Sequence, residues 1–128
     1  IYDERFQGAS KALQEHGLLE KNQRYFLFNV NDMRGAYDKI ATLMKRDDHP
    51  TAVFCANDML AMGIYGAVRD CDLKIAEDIS VVGYDDIPMA SMMTPPLTTF
   101  LQPENESAEK ALMYLMDLIN GDTPRKTE

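Results

Sequence analysis

Thr51 to Tyr84 reads TAVFCANDMLAMGIYGAVRDCDLKIAEDISVVGY, and its interpretation decides the fold. Thr51 to Ala56 (TAVFCA) is an apolar run of strand length, and Ile79 to Tyr84 (ISVVGY) is another. Between them, Asn57 to Asp70 has helical period with an unusual profile. Met59, Leu60, Ala61, Met62, Ile64, Tyr65, Ala67 and Val68 leave almost no polar face between Asp58 and Arg69. A helix of that kind must be covered on more than one side. Two short apolar strands joined through a helix predict a parallel pair, because the crossover has to carry the chain back over the sheet.

The same alternation extends outward in both directions. Upstream, Asp3 to His16 is expected to be a helix with Phe6, Ala9, Ala12 and Leu13 on one stripe and Gly17 at its end. Arg24 to Val30 (RYFLFNV) reads as a strand and Met33 to Arg46 as a helix, closed before Pro50. Downstream of Asp85-Asp86, a Met-rich connection from Ile87 to Pro96 leads to a fourth strand, Leu97 to Leu101. Pro103 opens a last helix whose stripe is Ala108, Leu112, Leu115, Met116 and Ile119, with Gly121 as its stop. The fold class expected is α/β, a parallel sheet with helices on both faces.

Composition narrows the functional classes. The 128 residues are 45% hydrophobic, enough for one domain with a real core, and no apolar run approaches the roughly 18 residues of a membrane span. The formal charge of -8, from 21 acidic against 13 basic side chains, opposes binding to nucleic-acid phosphates by this segment itself. Cys55 and Cys71 lack metal-ligand spacing and read as reduced thiols of a cytoplasmic protein, and no metal or cofactor is expected. The start without Met and the polar tail from Asp122 to Glu128 fit a piece of a longer protein.

In open parallel sheets, ligands bind beyond the carboxyl ends of the strands. Asn31 and Asp32 follow the first strand here, Asn57 and Asp58 the second, Asp85 and Asp86 the third and Gln102 the fourth. Carboxylates and amides in that position suit a hydroxyl-rich ligand, since a carboxylate accepts from two hydroxyls and an amide both donates and accepts. Each residue also has a plain structural role open to it. Asn57 and Asp58 are good helix caps, Asn31 and Asp86 turn residues, Gln102 a partner for the start of the last helix, and Arg5 a solvated cation. Nothing resembles a nucleophile elbow, a phosphate-cradling glycine loop or a His set beside a Ser or Cys, so no catalysis is expected. A phosphoacceptor receiver domain would need its acid pair after the first strand, which the order here denies.

Five segments together resemble the LacI/GalR family of bacterial repressors. They are ERFQGASKALQEHGL (Glu4 to Leu18), PTAVFCANDMLAMG (Pro50 to Gly63), EDISVVGYDDI (Glu77 to Ile87), TPPLTTFLQP (Thr94 to Pro103) and the helix ending in Asn120-Gly121. The resemblance implies one half of a periplasmic-binding-protein-like core in which two α/β subdomains hold an effector between them. Residues 1–128 would be the C-terminal subdomain, with the N-terminal subdomain and the DNA-reading helix-turn-helix outside the chain. It further implies that Arg5, Asn57, Asp85 and Gln102 bind a small sugar-like effector. Asn31 stands where relatives often carry an aromatic residue that packs on the ligand. The implied protein is a cytoplasmic homodimer that touches operator DNA only through its missing N-terminal domain and has no membrane partner. A periplasmic sugar-binding receptor of transport or chemotaxis shares the fold and is the alternative.

A dimer surface is also expected from the residues. One face of the Asn57 to Asp70 helix suffices to cover a sheet, so Met59, Met62 and Tyr65 are left for a second partner. Ile87, Met89, Met92 and Met93 in the following connection add flexible apolar side chains to the same surface.

Overall fold

The structure, a computed structural model, describes residues 2–18 and 32–122. The strand expected over Arg24 to Val30, and Asn31 with it, lie outside the described residues. In chain order come helix α1 (Tyr2–Glu15), helix α2 (Met33–Leu43), strand β1 (Ala52–Phe54), helix α3 (Asp58–Asp70), strand β2 (Ser80–Val82), a 3-10 turn (Pro88–Met92) and helix α4 (Glu104–Asn120).

β1 and β2 pair in parallel, with Ala52 opposite Ser80, Val53 opposite Val81 and Phe54 opposite Val82. α3 is the crossover between them, as the apolar runs predict. The expected fourth strand is present as a thinner ladder. Its parallel bridges join Val82 to Thr98 and Asp85 to Leu101, and the amides of Gly83 and Asp85 donate to the carbonyls of Thr98 and Phe100 at 2.8 and 2.9 Å. β2 therefore lies between β1 and the 97–101 segment.

α3 is apolar nearly all round because it is covered twice within the chain. Ala61, Ile64, Ala67 and Val68 are buried in one cluster with Cys55, Ile79, Val81 and Leu97 in and beside the sheet and with Ala36 and Ile40 of α2 and its C-cap Met44. Each large side chain in such a cluster contributes about 1.5–3 kcal/mol of hydrophobic burial. α2 comes so close that a Cβ added at Gly63 would stand 2.1 Å from the Met33 carbonyl oxygen, while one at Gly66 would meet the Tyr37 ring at 3.3 Å. Glycine at these two positions lets two helix backbones approach.

The helix ends follow the caps. Asp32 accepts from the Gly35 amide at 2.7 Å to open α2, and Asn57 accepts from the Leu60 amide at 2.9 Å to open α3. Gly121 closes α4 in the left-handed region at φ 80°. α4 departs from expectation in one respect. The stripe that was to cover the sheet is uncovered among the described residues, with Leu112, Leu115, Met116 and Ile119 between 48% and 68% exposed. Helical periodicity reports that a face can be buried, and it carries no information about which surface buries it.

Candidate functional site

The carboxyl ends of β1, β2 and the 97–101 segment open on the same side, and the residues that gather there come from four parts of the chain. Arg5 reaches them from the first turns of α1. Its Nη1 donates to the Ala56 carbonyl just past β1, and its Nη2 lies 3.0 Å from Asp85 Oδ1 just past β2. The guanidinium carbon sits 3.9 Å from the centroid of the Tyr84 ring, a cation held against an aromatic face. Phe100 stacks on Tyr84 with centroids 5.9 Å apart and planes 29° apart, and its own ring is largely exposed. Far from being a solvated cation, the Arg5 side chain is only 9% exposed, against 27% for Asp85.

Asp85 is held in an unusual state. Its φ is 117° and that of Asp86 is 57°, two successive non-glycine residues in the region that L side chains rarely adopt. Such conformations cost about 1–3 kcal/mol each and persist only where the surroundings enforce them. Asp85 Oδ1 is buried and faces Arg5 as a charge pair, yet no aligned hydrogen bond reaches it among the described residues. It remains an acceptor in want of a donor, next to a cation that neutralises it.

Asn57 spends its side-chain oxygen on capping α3, the plain structural role open to it, and it adjoins Ala56, whose carbonyl Arg5 holds. Gln102 is half-buried immediately after the 97–101 segment. Arg5 and Asp85 are thus brought together with the backbone beside Asn57, and Asn31 falls outside the described residues.

Two features of the site were not foreseen. The Tyr84–Phe100 stack is invisible to a search for polar residues at strand ends. Asp58, open to reading as a strand-end ligand group or a cap of α3, is instead a fully buried carboxylate, accepting from the Thr99 hydroxyl at 2.6 Å and the Ile87 amide at 2.9 Å. A signal existed in the sequence, since an isolated glycine in a strand marks a close approach. A Cβ at Gly83 would stand 2.1 Å from Asp58 Oδ1.

Of the residues expected at a dimer surface, Met59, Met89 and Met92 are 45%, 43% and 80% exposed, whereas Met62, Tyr65, Ile87 and Met93 are half-buried. An open groove of about 640 Å³ runs past Met62, Tyr65, Arg69, Leu73, Met93 and Pro95, none of them among the strand-end residues around Arg5 and Asp85. No helix among the described residues is long and apolar enough to cross a membrane.

Residues 1–128 match, over their whole length, the family described as the periplasmic binding protein-like domain. The chain is 38% identical over 119 residues to the ribose operon repressor of Escherichia coli K12, covering 93% of this chain and 36% of that protein. It is 39% identical over 118 residues to the HTH-type transcriptional repressor PurR of Vibrio vulnificus, covering 91% of this chain and 34% of that protein. The chain therefore spans about a third of the length of the curated relatives it matches. Among solved structures, a LacI family transcriptional regulator from Enterococcus faecium with bound ribose superposes with a TM-score of 0.81 at 31% identity, over 98% of this chain and 45% of that one. Matched along all of its length, and resembling regulators in both sequence and fold, the chain belongs to the periplasmic binding protein-like domain family in the form carried by LacI/GalR regulators.

Proposed function

We propose that this chain is the C-terminal subdomain of the effector-sensing core of a transcriptional repressor, presenting one wall of a cleft for a small hydroxyl-rich ligand. The observation that carries the reading is the Arg5–Asp85 pair, in which a buried carboxylate oxygen faces a neutralising cation but lacks an aligned donor. A ligand hydroxyl can donate to the Asp85 carboxylate, whose side chain is 27% exposed, and the guanidinium fork has further N–H groups for ligand oxygens. Asn57 and Gln102 extend the wall, and the Tyr84–Phe100 stack offers an apolar edge of the kind that ligand pockets pair with a few polar groups. Ribose is the first candidate, supported by the ribose operon repressor among the relatives and the ribose bound to the Enterococcus faecium regulator.

In this reading the chain binds and does not catalyse, and the intact protein is a cytoplasmic homodimer that reaches operator DNA through a separate N-terminal domain. The dimer surface runs along Met59, Met62 and Tyr65 of α3 and Ile87, Met89, Met92 and Met93 after β2. The groove past Met62, Tyr65 and Met93 supports it, being a concavity with apolar side chains beside Arg69, Lys74 and Glu77 that a second copy can fill. Calorimetric titration of the full-length protein with ribose, other pentoses, hexoses and a purine tests the effector. Saturable binding of one sugar, weakened by substitution of Arg5, is the expected result; no binding by any sugar, or binding indifferent to Arg5, refutes the reading.

A further inference from the structure

We propose that Asp58 is a positioning residue for the effector site, a single side chain and amide that together fix the backbone on which Asp85 is mounted. The inference rests on the reading of Asp85 as a ligand-binding carboxylate and goes beyond it by asking what holds that carboxylate in place. Residues 85 and 86 adopt successive positive φ values, so something outside the pair must supply the restraint.

The hydrogen bonds around the pair converge on Asp58. On the upstream side, the Asp58 amide donates to the Tyr84 carbonyl at 2.9 Å. On the downstream side, the Ile87 amide donates to Asp58 Oδ2 at 2.9 Å. Between them, the Asp86 amide donates to Thr99 Oγ1 at 3.3 Å, and with that oxygen serving as acceptor its own proton is directed to Asp58 Oδ1 at 2.6 Å. The Asp85 amide is fixed separately, on the Phe100 carbonyl. Asp58 thus brackets the two strained residues at both ends and reaches the middle through Thr99. Being fully buried, the carboxylate has no competing water, and Gly83 leaves the space in which it sits. Helix capping does not account for this arrangement, because Asn57 performs the capping.

The bracket aims the Asp85 carboxylate at Arg5 and toward the mouth of the strand ends. When a bracketing bond is lost, residues 85 and 86 are free to relax to ordinary φ values, and the carboxylate turns away from the position in which it meets a ligand. Stability and ligand affinity then respond differently to conservative changes. Thr99→Val keeps the shape and removes the relay, whereas Thr99→Ser retains it.

The test uses the full-length protein with ribose as probe, and hydrogen-exchange mass spectrometry on the segment around residues 84–88. Expected for Asp58→Asn and Thr99→Val are exchange at Asp86 and Ile87 at least about tenfold faster, without matching acceleration elsewhere, and ribose affinity at least about tenfold weaker well below the unfolding temperature. Thr99→Ser should return both to within about twofold of the parent. Exchange that is unchanged or faster everywhere alike overturns the proposal, and so does local acceleration with unaltered ribose affinity. If the parent protein does not bind ribose while both variants still accelerate exchange only at Asp86 and Ile87, the bracket is upheld and the ribose reading alone falls.

Discussion

Arg5 and Asp85, far apart in the chain, meet across the strand ends at 3.0 Å, and the arginine of the pair is the more deeply buried partner. A largely buried pair of this kind is weak evidence for stability, because the cost of taking both charges out of water offsets their attraction. This one encloses a carboxylate oxygen without an aligned hydrogen bond, so its value lies in what it offers a third group.

Asp85→Ala should weaken effector binding by about 1–3 kcal/mol through loss of a charge-assisted hydrogen bond. Calorimetry on the full-length protein reads this directly. Affinity equal to that of the parent would remove Asp85 from the site.

Met62→Asp should dissociate the proposed homodimer while leaving the fold intact, because it places a charge without a partner in the proposed interface. Sedimentation velocity gives the mass and far-UV circular dichroism the fold. A parent protein that is monomeric at high concentration would refute the proposed surface.

Gly63→Ala should destabilise the domain by about 1–3 kcal/mol, the usual range for overpacking. The new methyl would stand 2.1 Å from the backbone oxygen of Met33, and a backbone atom cannot swing aside as a side-chain tip does. The denaturant midpoint is expected to fall with little change in slope. An unchanged midpoint would mean that α2 and α3 are less tightly joined than described.

Cys55 gives a prediction in pH. Burial, with the charge of Asp58 adding to it, pushes the thiol from its ordinary 9.0 up to about 12. The folded state therefore holds the proton that the unfolded chain releases above pH 9. Stability from this group is complete below pH 9 and is lost as pH rises toward 12, by up to about 1.4 kcal/mol per unit. Cys55→Ala should flatten the alkaline decline relative to the parent in urea titrations at pH 8 and 10.5. In the folded parent at pH 8, a thiol reagent should label half-buried Cys71 ahead of buried Cys55. Equal slopes, or equal labelling, would contradict the assigned environment.

Much of the fold could be read from the chain because periodicity and punctuation agree there. The strand, helix and strand between Thr51 and Tyr84 form as expected, with Asn57 as the cap, and the double cover of α3 follows from its lack of a polar face. The strand expected over Leu97 to Leu101 is reduced to isolated bridges with Val82 and Asp85. Asp85 is legible as a candidate from its place after a strand, and Arg5 through the family resemblance. Their pairing is not, because a charge on a helix surface looks the same in sequence whether or not a distant strand end comes to meet it. Asp58 was misread for a related reason. Asn and Asp both suit a helix start, and only the folded chain shows that the first of the two caps the helix while the second turns inward.

The room that Gly83 leaves for Asp58 binds the histories of these two positions together. Any side chain at 83 would occupy the space where Asp58 Oδ1 lies, and any retreat at 58 would leave a void beside the glycine and two polar groups, the Ile87 amide and the Thr99 hydroxyl, without their partner. Neither position can drift alone. The residues proposed to face a ligand, Arg5, Tyr84, Asp85 and Phe100, carry no such mutual debt to the bracket through their side chains. A lineage can therefore exchange one effector for another at the mouth of the strands while the pair beneath stays fixed.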